Sequence, residues 1–433
     1  MTRCQVLMLS LMGIFLQQPV SAQVASRNKH MNQEAIQEIQ EKQFVALKEK
    51  FKTASKSWRE KYAIVRENEP QKVAMLFKSH PYNSMAKEFL DLEAKTRGTK
   101  IGFSCLYHLV IQAGSVADST WEVTKGKQFA LKILGEHYRN YPDIDTTFRY
   151  LFSGASVPET KAFLRQLVAH SDLDYVKANA MFALANNLAS EANYPAQIAS
   201  SKSILDPKSD HDKLLLKNFE KLEADIRHLD VEKYRQESRE LIQELRKEYS
   251  AILEPPRAET RTPAVIKVVR SKIDPILKTR RIPLLEKLPS VEFELNFGIG
   301  LEHPEINQND AFGKPMRLSD FRGKVVVLMF SFKGCGPCER MYPGNRQLIK
   351  DLEDAPFVFL GVMGDEKIDT VIESVEKKTI TWRVWWDGKE KSISQAWNIQ
   401  GWPETYVIDK EGIIRYRGLR GQELSKAVRK LLR

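Results

Sequence analysis

Cys335 and Cys338 stand three positions apart, between an apolar run and a charged, amphipathic stretch of a 433-residue chain. Such a C-x-x-C pair at the start of a helix can carry thiol–disulfide chemistry. A sulfur at a helix N-terminus meets free N–H groups and the positive end of the helix dipole, which favour its thiolate. In these motifs the thiol pKa falls from about 8.5 towards 7 or lower, supplying a nucleophile near neutral pH. Cys338, one turn on, is shielded but close enough to attack a mixed disulfide formed on Cys335. Gly336 and Pro337 suit the first turn, where a missing N–H costs nothing.

Zinc is the competing use of such a pair, but it needs two more ligands. No second C-x-x-C or Cys/His pair lies nearby, and His303 is the only histidine after residue 290. Neither a metal nor an organic cofactor is expected.

The elements that must position this pair follow from periodicity. Residues 324–332 are a continuous apolar run, expected as a buried strand, with a helix from Cys335 to about 352. Strands at 357–363 and 382–386, helices at 368–377 and 392–397, a hairpin over 406–416 and a closing helix at 422–432 complete an α/β sandwich with a mixed sheet. Upstream, Phe44, Leu47, Phe51, Ala54, Trp58, Tyr62 and Val65 form one helical stripe. Further helices are expected at 84–95, 99–112, 125–140, 158–170, 173–189, 210–228 and 231–252. The pattern suggests stacked helical hairpins, as in a short α-solenoid, available to an unknown protein partner.

The ends and joints are compositional. Arg3, an apolar run at 6–16 and Val20-Ser21-Ala22 have the layout of a signal peptide over 1–22, cleaved before Gln23. An exported, periplasmic protein is expected, with an uncleaved, membrane-tethering segment as the alternative. Cys4 precedes the apolar run and so is not placed like a lipoprotein cysteine. Three cysteines remain after cleavage, which reads as one working pair and a bystander; Cys105, in an apolar run, is expected as a buried thiol. Residues 254–290 carry six prolines, with nine Lys/Arg against four Asp/Glu over 254–289. That is a basic linker, or else a docking segment for anionic lipid or an acidic partner. The formal charge is +11, yet no aromatic-basic interleaving points to nucleic acid. The expected domains are thus 1–22, helical 23–253, linker 254–290 and redox 291–433.

Gly323–Arg340, with Gly313–Lys324 before it and Gly401-Trp402-Pro403 after, resembles the TlpA/ResA-like branch of thioredoxin-fold proteins, the redoxin or AhpC/TSA-type domains. The similarity covers about residues 300–433. It implies that Cys335 attacks and Cys338 resolves. It also implies that Pro403 is a cis-proline, whose loop, with Trp402, Gly336 and Pro337, meets a disulfide-containing protein substrate. Pro343 would kink the first helix. A reductase recharged by a membrane electron donor is the implied function. The chain departs from the pattern at three places. Met329 replaces a buried Asp or Asn that assists proton transfer. Gly334 replaces Trp before the first cysteine, leaving it more open, and Glu404 follows the proline in place of Thr. Lys333 could support the thiolate, or be an ordinary surface lysine. A peroxiredoxin is the second reading, though Phe332 stands where that site needs Thr. A partner-binding protein with a vestigial redox domain is the third.

Overall fold

The computed structural model describes residues 20–69, 72–113, 121–151, 158–252 and 284–433. The expected signal segment up to residue 19, with Cys4, and residues 254–283 of the linker lie outside them. The chain divides into two units, one ending at Tyr138 and one running from Arg139 to Arg433.

In the first unit the aromatic stripe dictates the packing. The helices are α1 (Val20–Asn68), α2 (Val73–Lys78), α3 (Pro81–Lys95), α4 (Lys100–Ala113) and α5 (Trp121–His137). Phe44 and Phe51 of α1 each meet Phe89 of α3 edge-on at 6.4 Å. Helix α3 opens where Nδ1 of His80 accepts the Tyr82 N–H, with Pro81 in the first turn. Cys105, Leu106, Leu109 and Val110 give α4 a fully buried face, so Cys105 is the buried free thiol expected.

The second unit begins with a 3₁₀ turn (Ile144–Tyr150), then α6 (Pro158–His170), α7 (Asp174–Ala192), α8 (Tyr194–Ser203), α9 (Asp210–Ile226) and α10 (Val231–Glu248). Alanines at 178, 180, 183, 185 and 189 bury α7 against α6 and α10, close enough for the Ser238 hydroxyl to reach the Ala185 carbonyl at 2.8 Å. Helix α8 was not expected, because its apolar residues form no stripe. Helix α11 (Leu288–Phe297) follows, with Pro289 in its first turn. Pro289, the last of the six prolines counted in the expected linker, opens a helix, since a first-turn N–H has no acceptor within the helix.

The remainder is the expected mixed sheet. A small hairpin, β1 (Asn307–Asn309) and β2 (Pro315–Arg317), precedes β3 (Val325–Ser331), α12 (Gly336–Asp351), β4 (Phe357–Met363), α13 (Ile368–Glu376), β5 (Arg383–Trp386), α14 (Ser392–Ala396), β6 (Glu404–Ile408), β7 (Ile414–Arg417) and α15 (Gly421–Leu432). The strand order is β5-β4-β3-β6-β7, with β3 parallel to β4 and antiparallel to β6. Strand β3 is central and buried at every residue. Val325, Val327 and Met329 enter one core with α12, α13 and α15; Val326, Leu328 and Phe330 enter the other, with α11 and α14. Each such side chain contributes about 1.5–3 kcal/mol by burial, so the strand bearing the cysteine motif is the best-anchored part of the sheet.

Candidate active site

The site forms where β3 runs out. Phe332, Lys333 and Gly334 lead from the sheet to α12, whose N-cap is Cys335. The Cys335 sulfur accepts the Cys338 backbone N–H at 3.3 Å, and the Glu339 N–H donates to the Cys335 carbonyl at 3.0 Å. The first sulfur therefore occupies the place of a capping oxygen, with a first-turn N–H aimed at it. Cys335 and Cys338 are disulfide-bonded, their Cα atoms 5.2 Å apart. Pro337 lies in the first turn and is exposed. Pro343 lies inside α12. In this disulfide form Cys335 is 6% exposed and Cys338 0%, so both sulfurs are covered.

Gly334 has φ +88°, a conformation costly for Trp or any other residue with a Cβ. The departure from the Trp of related motifs thus matches the turn this loop makes. Lys333 is exposed, and its ammonium lies 2.9 Å from Glu373 of α13. That hydrogen bond raises the lysine pKa, and Lys377 followed by Lys333 holds the Glu373 carboxyl below its usual range. Any pull of Lys333 on Cys335 is shared with that carboxylate.

Two carboxylates that sequence reading missed hold the loop. Asp365, just after β4 and 8% exposed, accepts the Lys333 N–H at 3.1 Å, while burial pushes its carboxyl pKa up. Glu339 accepts the Gly334 N–H at 2.8 Å. Glu339, one position past the motif, was visible as a first-turn acid; Asp365 comes from the loop after β4 and left no local signal. Beside them a cleft of about 340 Å³ opens between α12 and α13, reaching Tyr342, Arg346 and Met363. At its base the buried Tyr342 hydroxyl donates to Ser331 at 3.2 Å.

The second arm of the site is the loop entering β6. The Trp402–Pro403 bond is cis, as expected. Trp402 packs edge-on against Phe332 at 5.7 Å, with the Lys391 ammonium 5.0 Å from its ring, so this loop lies against the one that carries Cys335. Pro403 is buried and Gly401 exposed. Arg420 donates to the Pro403 carbonyl at 3.4 Å, and Thr405 to the Leu419 carbonyl at 2.7 Å. Lys333, Gly334 and the N-cap Cys335 thus lie on the loop after β3, Gly336, Pro337 and Cys338 in the first turn of α12, and Trp402 and Pro403 on the adjoining loop that enters β6. Met329 is fully buried, with the Asn345 amide 3.3 Å from its sulfur; among the described residues, no group of three or more His, Cys, Asp or Glu could hold a metal ion.

A family model described as the AhpC/TSA family matches residues 299–417. The thiol-disulfide oxidoreductase ResA of Geobacillus kaustophilus is 31% identical over 118 residues, 27% of this chain and 67% of that protein. The thioredoxin-like protein YneN of Bacillus subtilis is 26% identical over 124 residues, 28% of this chain and 72% of its own length. Among solved structures, the thioredoxin domain of a thiol-disulfide oxidoreductase from Bacteroides vulgatus shares 28% identity, covering 31% of this chain and 98% of that one, with a TM-score of 0.30.

Proposed function

The chain belongs, through its C-terminal domain, to the ResA-like thiol-disulfide oxidoreductases of the AhpC/TSA family, and we propose that it is an exported reductase of disulfides in periplasmic proteins. The observation that carries the reading is the Cys335 sulfur at the N-cap of α12, receiving the Cys338 N–H. A sulfur so placed is stabilised as a thiolate and attacks first.

In the reduced protein, the Cys335 thiolate attacks one sulfur of a substrate disulfide. That S–S bond breaks, the departing sulfur takes a proton, and a mixed disulfide joins Cys335 to the substrate. Cys338, as its thiolate, then attacks the Cys335 sulfur, forming the Cys335–Cys338 disulfide and releasing the second substrate thiol. Two electrons and two protons have reached the substrate, and a dithiol donor, placed in the membrane by this reading, must return them. The Gly336-Pro337 interior supports the reducing direction, since thioredoxin shares it and sits near about −270 mV. Export rests on the layout of residues 1–22 alone.

The test is insulin reduction alongside peroxide consumption, followed by trapping with Cys338→Ala. Insulin turnover and substrate proteins disulfide-linked to Cys335 support the proposal. Peroxide consumption without insulin turnover would replace it with a peroxiredoxin, and neither activity would leave a redox-inactive partner-binding protein.

A further inference from the structure

Helices α7 and α8 meet the redox domain at α11 and β7. Asn193, between α7 and α8, is 0% exposed. Its amide donates to the Glu294 backbone carbonyl at 2.8 Å and to the Glu294 carboxylate at 3.3 Å. Gly298 makes room for it, since a Cβ there would lie 2.4 Å from the amide nitrogen. The other Glu294 oxygen accepts from Nη1 of Arg417 at 2.9 Å, and Nε of Arg417 donates to Glu404 at 3.3 Å. The guanidinium also lies over the rings of Tyr406, at 5.4 Å, and Phe293, at 6.0 Å. Glu404 directly follows the cis-proline, and its second oxygen accepts the Thr405 N–H at 3.1 Å.

One planar fork thus holds two carboxylates at once, which a lysine's point charge does not reproduce. The three side chains keep only 20–27% of their surface in water, so the pairing is sheltered more than a surface salt bridge is. Without the cation, two half-buried carboxylates would face each other, and Glu404 would turn to solvent.

We infer that Arg417 is a positioning residue for the Trp402–Pro403 loop, and that the helical segment bears on substrate exchange through Asn193 and Glu294. The inference rests on the proposed exchange at Cys335, with this loop as the edge a protein substrate meets. A small reductant that reaches the disulfide without the loop would be indifferent to Arg417.

Hydrogen exchange on the full chain tests the positioning directly, with Arg417→Met, Arg417→Lys and Asn193→Ala beside the parent. In Arg417→Met, exchange over residues 400–406 should quicken by about ten-fold while β3 stays protected. Arg417→Lys should recover part of the protection, and Asn193→Ala should show a smaller rise at 400–406. With insulin, Arg417→Met should raise KM by about five-fold at unchanged kcat, while dithiothreitol reduces the Cys335–Cys338 disulfide at the parent rate. Unchanged exchange at 400–406 overturns the inference, as does loss of protection throughout the sheet or an equal loss of dithiothreitol reactivity. If the parent chain reduces no insulin, the proposed function falls, and exchange at 400–406 still decides the role of Arg417.

Discussion

Cys105 and Cys335 are nearly equally hidden, at 0% and 6% exposure, yet their surroundings prepare them for opposite fates. Cys105 lies inside α4, where the neighbouring N–H groups are committed to helix carbonyls, and burial pushes its thiol up to about 12. Cys335 is at the N-cap of α12, with a first-turn N–H aimed at its sulfur. Exposure does not separate the two. Position along a helix does, because only the first turn has donors to spare.

The sharpest way to break this comparison is to remove each thiol in turn. Cys335→Ala should lower insulin turnover by about 10³-fold or more, whereas Cys105→Ala should leave it within about two-fold. A comparable loss in both variants would mean that Cys105 takes part in exchange. Labelling of the reduced chain at pH 7 should follow the same order with a smaller spread. Iodoacetamide should modify Cys335 about 100-fold faster than Cys105, with Cys338 behind Cys335; Cys338 reacting first would reverse the nucleophile assignment.

Titration sharpens the contrast from the other side. The Cys105 thiol pKa is raised in the folded chain, from 9.0 to about 12, so its neutral form favours folding. That contribution is complete below pH 9 and is lost as pH rises from 9 towards 12. Thermal unfolding should therefore show the parent losing stability more steeply than Cys105→Ala across that interval, and parallel curves would deny the buried thiol its role. The smallest effect concerns Met329. Met329→Asp would set a carboxylate beside the Asn345 amide, and turnover should rise by about two- to five-fold if a missing proton carrier limits the rate. An unchanged or slower rate removes that explanation.

What the sequence made legible was local. Residues 325–331 announce a strand buried on both faces, and the Gly-Pro interior places Cys335 at a helix start, so strand, loop and helix follow without a partner. Pro289 misled because a proline signals a helix's first turn as readily as its end. Helix α8 was invisible because nine of its ten residues are only partly buried or exposed, leaving no apolar stripe to find. The groups that set the site's fine geometry act across the sheet. Asp365 reaches Lys333 from the loop after β4, and Arg417 finds partners at 294 and 404, so each reads in isolation as an ordinary surface charge. The left-handed turn at Gly334 shows in sequence only as a glycine.

Strands β3 and β6 are neighbours in the ladder, with Phe330 opposite Glu404. The cysteine loop leaves the end of one strand, and the cis-proline loop enters the start of the other. The two loops are separate stretches of chain fixed to a common ruler. For protein engineering they are separate cassettes that meet at Phe332 and Trp402, a contact that an exchange of either must keep. Residues 332–338 could be exchanged to retune reducing power, and residues 400–403 to change which partners are accepted, without re-registering the sheet. A slip of one residue between β3 and β6 would defeat both at once, since it would turn every side chain of the slipped strand to the opposite core.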